Sequence, residues 1–101
     1  MKGQIKTGTY VGNGAAQNIQ IGFVPDFLLL VNQTDGDIVT LWFNGFPAAT
    51  SVDITTAAAT QATNSISVYN GTAGGNGAGF VAGSNASENG KTFYYLAVAN
   101  Q

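Results

Sequence analysis

Short apolar runs separated by Gly, Asn, Asp and Pro recur along the whole chain, and the 3.6-residue repeat of an amphipathic helix is hard to find. Gln4 to Val11 is rich in Thr, alternates loosely and stops at Gly12-Asn13-Gly14, which reads as a turn. The cleanest alternation follows. Ile19, Ile21 and Phe23 point one way and Asn18, Gln20 and Gly22 the other, which predicts a strand with one wet face. Phe27-Leu28-Leu29-Leu30-Val31 is an unbroken apolar run, too short for a helix between its flanking breakers, and predicts a strand covered on both faces. Asp35-Gly36 supplies hairpin chemistry, because Gly tolerates the positive φ of such turns. The partner strand is Ile38 to Phe43, with Val39, Leu41 and Phe43 on one face and Ile38 and Trp42 on the other.

From Ala48 to Thr63 the chain is mostly Ala and Thr. Ala favours helix and β-branched Thr opposes it, so the segment reads as a loop with a short strand near Val52 to Thr55. Ser65 to Tyr69 alternates again, with Ile66 and Val68 expected inward. Gly71 to Gly79 holds five glycines in nine residues and reads as a flexible connection. Phe80-Val81-Ala82 is a short strand, Ser84 to Gly90 a polar turn region, and Thr92 to Ala99 a last strand that is apolar on both faces.

These elements predict an all-β fold: a single antiparallel β-sandwich domain over residues 1–101, jelly-roll-like, with seven to eight short strands. An up-and-down barrel is the competing architecture. Three strands with two apolar faces exceed what a lone sandwich of this size needs, since the outer face of each sheet normally meets water. The excess predicts a partner, and Phe27, Leu29, Val31, Trp42, Phe43, Tyr94 and Leu96 are the candidate interface residues.

Composition sharpens this picture. Hydrophobic residues make up 45% of the chain, but charged residues only 8%, against about 25% in ordinary globular proteins. The net charge of −2 comes from Lys2, Lys6 and Lys91 against Asp26, Asp35, Asp37, Asp53 and Glu88. Three scattered lysines cannot form the basic patch that nucleic acid or anionic lipid requires, so neither is expected as a partner. No apolar run reaches the roughly 18 residues of a membrane-spanning helix, and nothing after Lys2 resembles a signal peptide, so cytoplasmic synthesis is expected. With no cysteine, stability must come from packing or from oligomerisation, and a contribution from oligomerisation is expected.

The absence of histidine and cysteine removes Ser–His–Asp and Cys–His nucleophilic sites and the usual nitrogen and sulfur ligands of zinc. A carboxylate pair for glycoside cleavage is the remaining enzymatic option. Asp26, Asp35 and Asp37, however, sit in turn sequences where their side chains bond nearby amides. Asp35-Gly36-Asp37 also falls short of a calcium loop, and Gly75 to Gly79 lacks the strand and helix that frame a phosphate loop. The chain is therefore expected to be neither an enzyme nor the holder of a cofactor. Trp42, Tyr94 and Tyr95 fit a core or an interface better than a sugar-stacking platform. Asn32-Gln33-Thr34, Asn70-Gly71-Thr72 and Asn85-Ala86-Ser87 match the glycosylation pattern but carry no weight without a secretory signal.

Two stretches resemble a β-rich module that recurs in virion proteins of tailed bacteriophages. The first runs from Gly8-Thr9-Tyr10-Val11-Gly12-Asn13-Gly14 through Gln17-Asn18-Ile19 to Gly22-Phe23-Val24-Pro25-Asp26-Phe27-Leu28, and is similar to that module's opening hairpin. The second, Gly90-Lys91-Thr92-Phe93-Tyr94-Tyr95-Leu96-Ala97, is similar to its closing strand. Asp35 to Gly79 has no counterpart in the pattern. The resemblance implies a virion structural protein, a decoration or cement protein on the capsid surface. Its expected partners are the major capsid protein and its own copies, as a homotrimer. A tail or fibre component that binds a host-surface glycan or receptor is the alternative it implies.

Overall fold

The computed structural model describes residues 3–55, 57–71 and 77–99. Nine strands are present among the described residues: β1 (Gln4–Val11), β2 (Gln17–Gln20), β3 (Phe27–Asn32), β4 (Ile38–Phe43), β5 (Ser51–Thr55), β6 (Ala59–Ala62), β7 (Ile66–Tyr69), β8 (Gly79–Ala82) and β9 (Thr92–Ala99). They form a six-stranded sheet in the order β1-β9-β3-β4-β5-β6 and a three-stranded sheet in the order β2-β8-β7, and every pairing is antiparallel. The fold is a β-sandwich of two sheets and not one closed barrel. Its ends wind as in a jelly roll, because β1 pairs with β9 while β2 pairs with β8; β3 to β6 run between them as a meander.

The expected count of seven to eight strands rises to nine because Ala59–Ala62, read from sequence as loop, pairs with β5. Thr55 makes the turn. Its backbone N–H and its hydroxyl donate to the Ala58 carbonyl, and its hydroxyl accepts from the Ala57 and Ala58 amides. That local closure lets small Ala and Thr residues extend into a hairpin that their propensities alone do not specify. The wet-faced strand near Ile19 stops at Gln20, so Ile21 and Phe23 pack from the loop beyond it. Most of the glycine-rich connection, residues 72–76, lies outside the described residues.

One core lies between the sheets. Leu28, Leu30, Trp42, Tyr95 and Ala97 come from the large sheet, and Ile66, Phe80 and Ala82 from the small one. Each fully buried large side chain contributes roughly 1.5–3 kcal/mol. An aromatic cluster ties the two layers together: Tyr10 stacks on Phe93 at 5.2 Å between ring centroids, and Phe80 meets Tyr95 edge-on at 5.8 Å. The Tyr95 ring lies over its cross-strand partner Gly8, where a Cβ would strike the ring.

Buried polar groups serve to fasten loops to sheets. Asp53 accepts from the Thr40 hydroxyl at 2.9 Å, from the Ser51 hydroxyl at 3.3 Å and from the Asn85 amide at 2.9 Å. This pins the 3-10 turn Ser84–Ala86 onto the inner face of the large sheet. Gly12 packs so tightly on the backbone of Ser87 and Glu88 that a side chain there has no room. The Gly12 and Gly14 amides donate to the Lys91 and Ser87 carbonyls at 2.8 and 2.7 Å. The segments Gly8 to Leu28 and Gly90 to Ala97 are thus neighbours, paired from Gly8 with Tyr95 to Val11 with Thr92 and joined again at this loop contact.

Tyr10 donates its hydroxyl to the Ala86 carbonyl at 2.7 Å, and burial pushes its ionisation well above the ordinary phenol value; burial also raises Tyr95. The folded state then keeps its protons where the unfolded chain, ionising near pH 10, loses them. Stability is therefore expected to be fully present below about pH 10 and to fall as pH rises above it, with a shallower fall in Tyr10→Phe. That variant should also lose about 1 kcal/mol at neutral pH, read by urea unfolding.

Candidate functional site

Residues that pair across an antiparallel sheet project from the same face, so the register sorts the side chains of the large sheet into two sets. The inner set, including Leu28, Leu30, Trp42, Tyr95 and Ala97, meets the small sheet. The outer set has no covering layer among the described residues and falls into three rows. The first is Ile5, Val98, Phe27 and Phe43; the second is Thr7, Leu96, Leu29, Leu41, Val52 and Gln61; the third is Thr9, Tyr94, Val31, Val39, Ile54 and Ala59.

Twelve of these sixteen side chains are large and apolar, and none is charged. Four of the twelve are notably exposed: Ile5 at 72%, Tyr94 at 51%, Phe43 at 49% and Ile54 at 40%. Sixteen outer residues, spaced about 4.8 Å from strand to strand and about 6.8 Å along each strand, give the face roughly 500 Å² in projection. A continuous apolar patch of that size sits at the upper end of what single-chain proteins expose, a range in which patches are often functional. A groove of about 330 Å³ crosses its β1-β9-β3 half, between Tyr94, Leu96, Leu29 and Val31 on one side and Thr7 and Thr9 on the other.

Six of the seven candidate interface residues lie on this face. Phe27, Leu29, Val31, Phe43, Tyr94 and Leu96 all belong to its rows. Trp42 does not: it is 2% exposed and packed in the core, because its strand alternation places it opposite Leu28, on the face turned to the small sheet. Tyr95 is likewise buried, so of the three aromatics considered for sugar stacking only Tyr94 is presented to a partner. Val68, expected inward beside Ile66, is 37% exposed near the end of its strand.

Sequence reading missed Ile5, Val39, Leu41, Val52, Ile54 and Val98 as members of the face. Alternation gives the parity within a strand, but only the register shows which parities of six strands share one side.

The carboxylates are occupied elsewhere. Asp53 is buried in its hydroxyl and amide cage. Asp35 and Glu88 converge on the Asn32 amide at 3.1 and 3.5 Å, and Asp35 pairs with Lys91 at 3.0 Å. The hydrogen bond to Asp35 and its charge raise the Lys91 ammonium above its ordinary value. This cluster joins the β3–β4 turn to the loop before β9, and neither acid lines the outer-face groove. No three His, Cys, Asp or Glu side chains gather to hold a metal ion among the described residues.

No protein-family model, curated protein or solved structure matches this chain.

The separation of faces has a direct test. Trp42→Ala should cost the fold about 3–5 kcal/mol, whereas Tyr94→Thr should cost the single chain less than about 1 kcal/mol. Urea unfolding at low micromolar concentration compares the two.

Proposed function

We propose that the chain is a structural protein of a tailed-bacteriophage virion, a decoration protein that binds the outside of the assembled head beside the major capsid protein and works as a homo-oligomer. The observation that supports this reading most is the uncharged apolar outer face of the six-stranded sheet. It belongs to a protein that acts by being covered, not by turning over a substrate. Binding only to the assembled shell would stabilise that state by mass action, without any chemical step. The carboxylates support the same reading, since Asp35 and Asp53 are engaged in fastening loops. So does the resemblance to the phage module, whose two segments pair with each other as β1 and β9.

A tail component that binds a host glycan is the other reading. Tyr94 beside the groove is the feature in its favour, but the groove offers only the hydroxyls of Thr7, Thr9 and Tyr94 as polar side-chain groups, because the Tyr95 side chain turns into the core. A sugar needs more hydrogen-bonding groups than that.

Electron microscopy of virus particles from the host that carries the gene, labelled with antibody to this protein, discriminates the readings. Label on heads is expected, label on tails selects the second reading, and unlabelled particles overturn both. Because the surface is so poor in charge, attachment should survive washing at 0.5 M salt. Release of the protein from the particles under that wash, followed by immunoblot, would count against decoration through apolar surface.

A further inference from the structure

We propose that the outer face of the six-stranded sheet is covered by a second copy of this chain, in a two-fold stack of sheet upon sheet. The inference takes from the proposed function only that the protein works by assembly. It names the occupant of the face and leaves attachment to any shell to the remaining surface.

Three observations carry it. In a two-fold interface the same patch serves both partners, so a patch with a net charge repels its own copy across the axis. The outer face carries no charge in any of its three rows, although the described chain has Lys and Asp or Glu on other surfaces. A partner of different chemistry would be selected by charge complementarity, and the face offers nothing to select with.

The second observation is size. A standard stable interface buries about 800 Å² on each partner, and a face of roughly 500 Å² in projection reaches that order once the relief of its side chains is included. Covering all of it takes a surface of equal extent, which the same face on another copy supplies. A three-fold arrangement, the oligomer expected from the sequence, divides each face between two neighbours and gives each of them only part of that area. Aligned stacking about 10 Å apart is also how two β-sheets ordinarily pack.

The third observation is relief. The groove lies over β1, β9 and β3, while Ile54 is exposed on β5 on the opposite half, in the same row as Tyr94 and Val31. A two-fold axis lying parallel to the strands between β3 and β4 exchanges the two halves. It sets β5 of one copy over β9 of the other and brings Ile54 to the groove.

Sedimentation equilibrium of the purified chain alone, from about 1 to 100 µM, tests this. The expected mass is twice the 10.3 kDa of the chain, unchanged or strengthened at 1 M salt, since apolar association is not screened. Ile54→Lys and Tyr94→Lys, each at a site already exposed in the single chain, should raise the dissociation constant by roughly tenfold or more while leaving the circular dichroism spectrum intact, because a stack buries two unpaired ammonium groups. A parent chain of single or triple mass overturns the proposal. So does a folded Lys variant that remains as tightly dimeric as the parent. A monomer that still decorates heads would remove the stack, and with it the homo-oligomer, and leave attachment to the head standing. A dimer that fails to label particles would do the reverse.

Discussion

Everything in this fold hangs on β9, the strand that joins β1 to the rest of the large sheet while it serves the core on one face and the uncovered rows on the other. It pairs with β1 along eight residues and with β3 along six, so the two ends of the chain are joined through it to the middle. Its inner residues Tyr95 and Ala97 complete the core, and its outer residues Tyr94, Leu96 and Val98 form the middle of the uncovered face. A change of one residue in its register would exchange these sets, placing Tyr94 and Leu96 in the core and exposing Tyr95 and Ala97. The contacts that fix the register are therefore those just outside it: Gly12 against Glu88, the Lys91 ion pair with Asp35, and the Thr34 hydroxyl accepting from the Thr92 amide at 2.8 Å.

That dependence explains why the polar residues are where they are. In a chain with so few charges, each buried polar group stands out, and several tie a loop to a strand. Asn32 receives the Asp35 amide and donates to the Asp35 and Glu88 carboxylates, holding the β3–β4 turn to the approach of β9. Asp53, Ser51 and Ser65 hold the 3-10 turn and the start of β7 against the large sheet. Unmade, such bonds would each cost about 1–3 kcal/mol. Made, they turn the connections into fixed spacers, with the carboxylates of Asp35, Asp53 and Glu88 serving geometry.

Strand identity was legible from alternation and turn chemistry wherever large apolar residues carried the period, as at Phe27 to Val31, Ile38 to Phe43 and Thr92 to Ala99. It was not legible at Ala59–Ala62, where side chains too small to signal a face are held by pairing with β5. The surplus of apolar surface was visible in composition, and six of its seven named residues fall on one face. Trp42 was misplaced because its strand is apolar on both sides, and nothing local says which side meets the second sheet. Ile5 and Ile54 were overlooked for the opposite reason: each stands nearly alone among Thr, Gly or Ala, and gains its meaning only from the five other strands beside it.

A face that apolar raises the question of why association would stop at a stack instead of continuing sideways. The large sheet has two open edges, β1 and β6, and an open edge with free backbone groups invites another strand. Three features oppose this. β1 places Lys6 on its inner side, opposite Ala97, so a strand added there meets a charge beneath it. β6 is only four residues long and presents Thr60 and Gln61 at its centre. The small sheet ends in β2 and β7, also four residues each, too short to template a long ladder. Growth by edge pairing is thus discouraged at every border, while the outer face is left free of charge across all three rows. Association through the outer face, as proposed, runs perpendicular to the sheet, and a two-fold stack of that kind closes on itself instead of extending into a fibre.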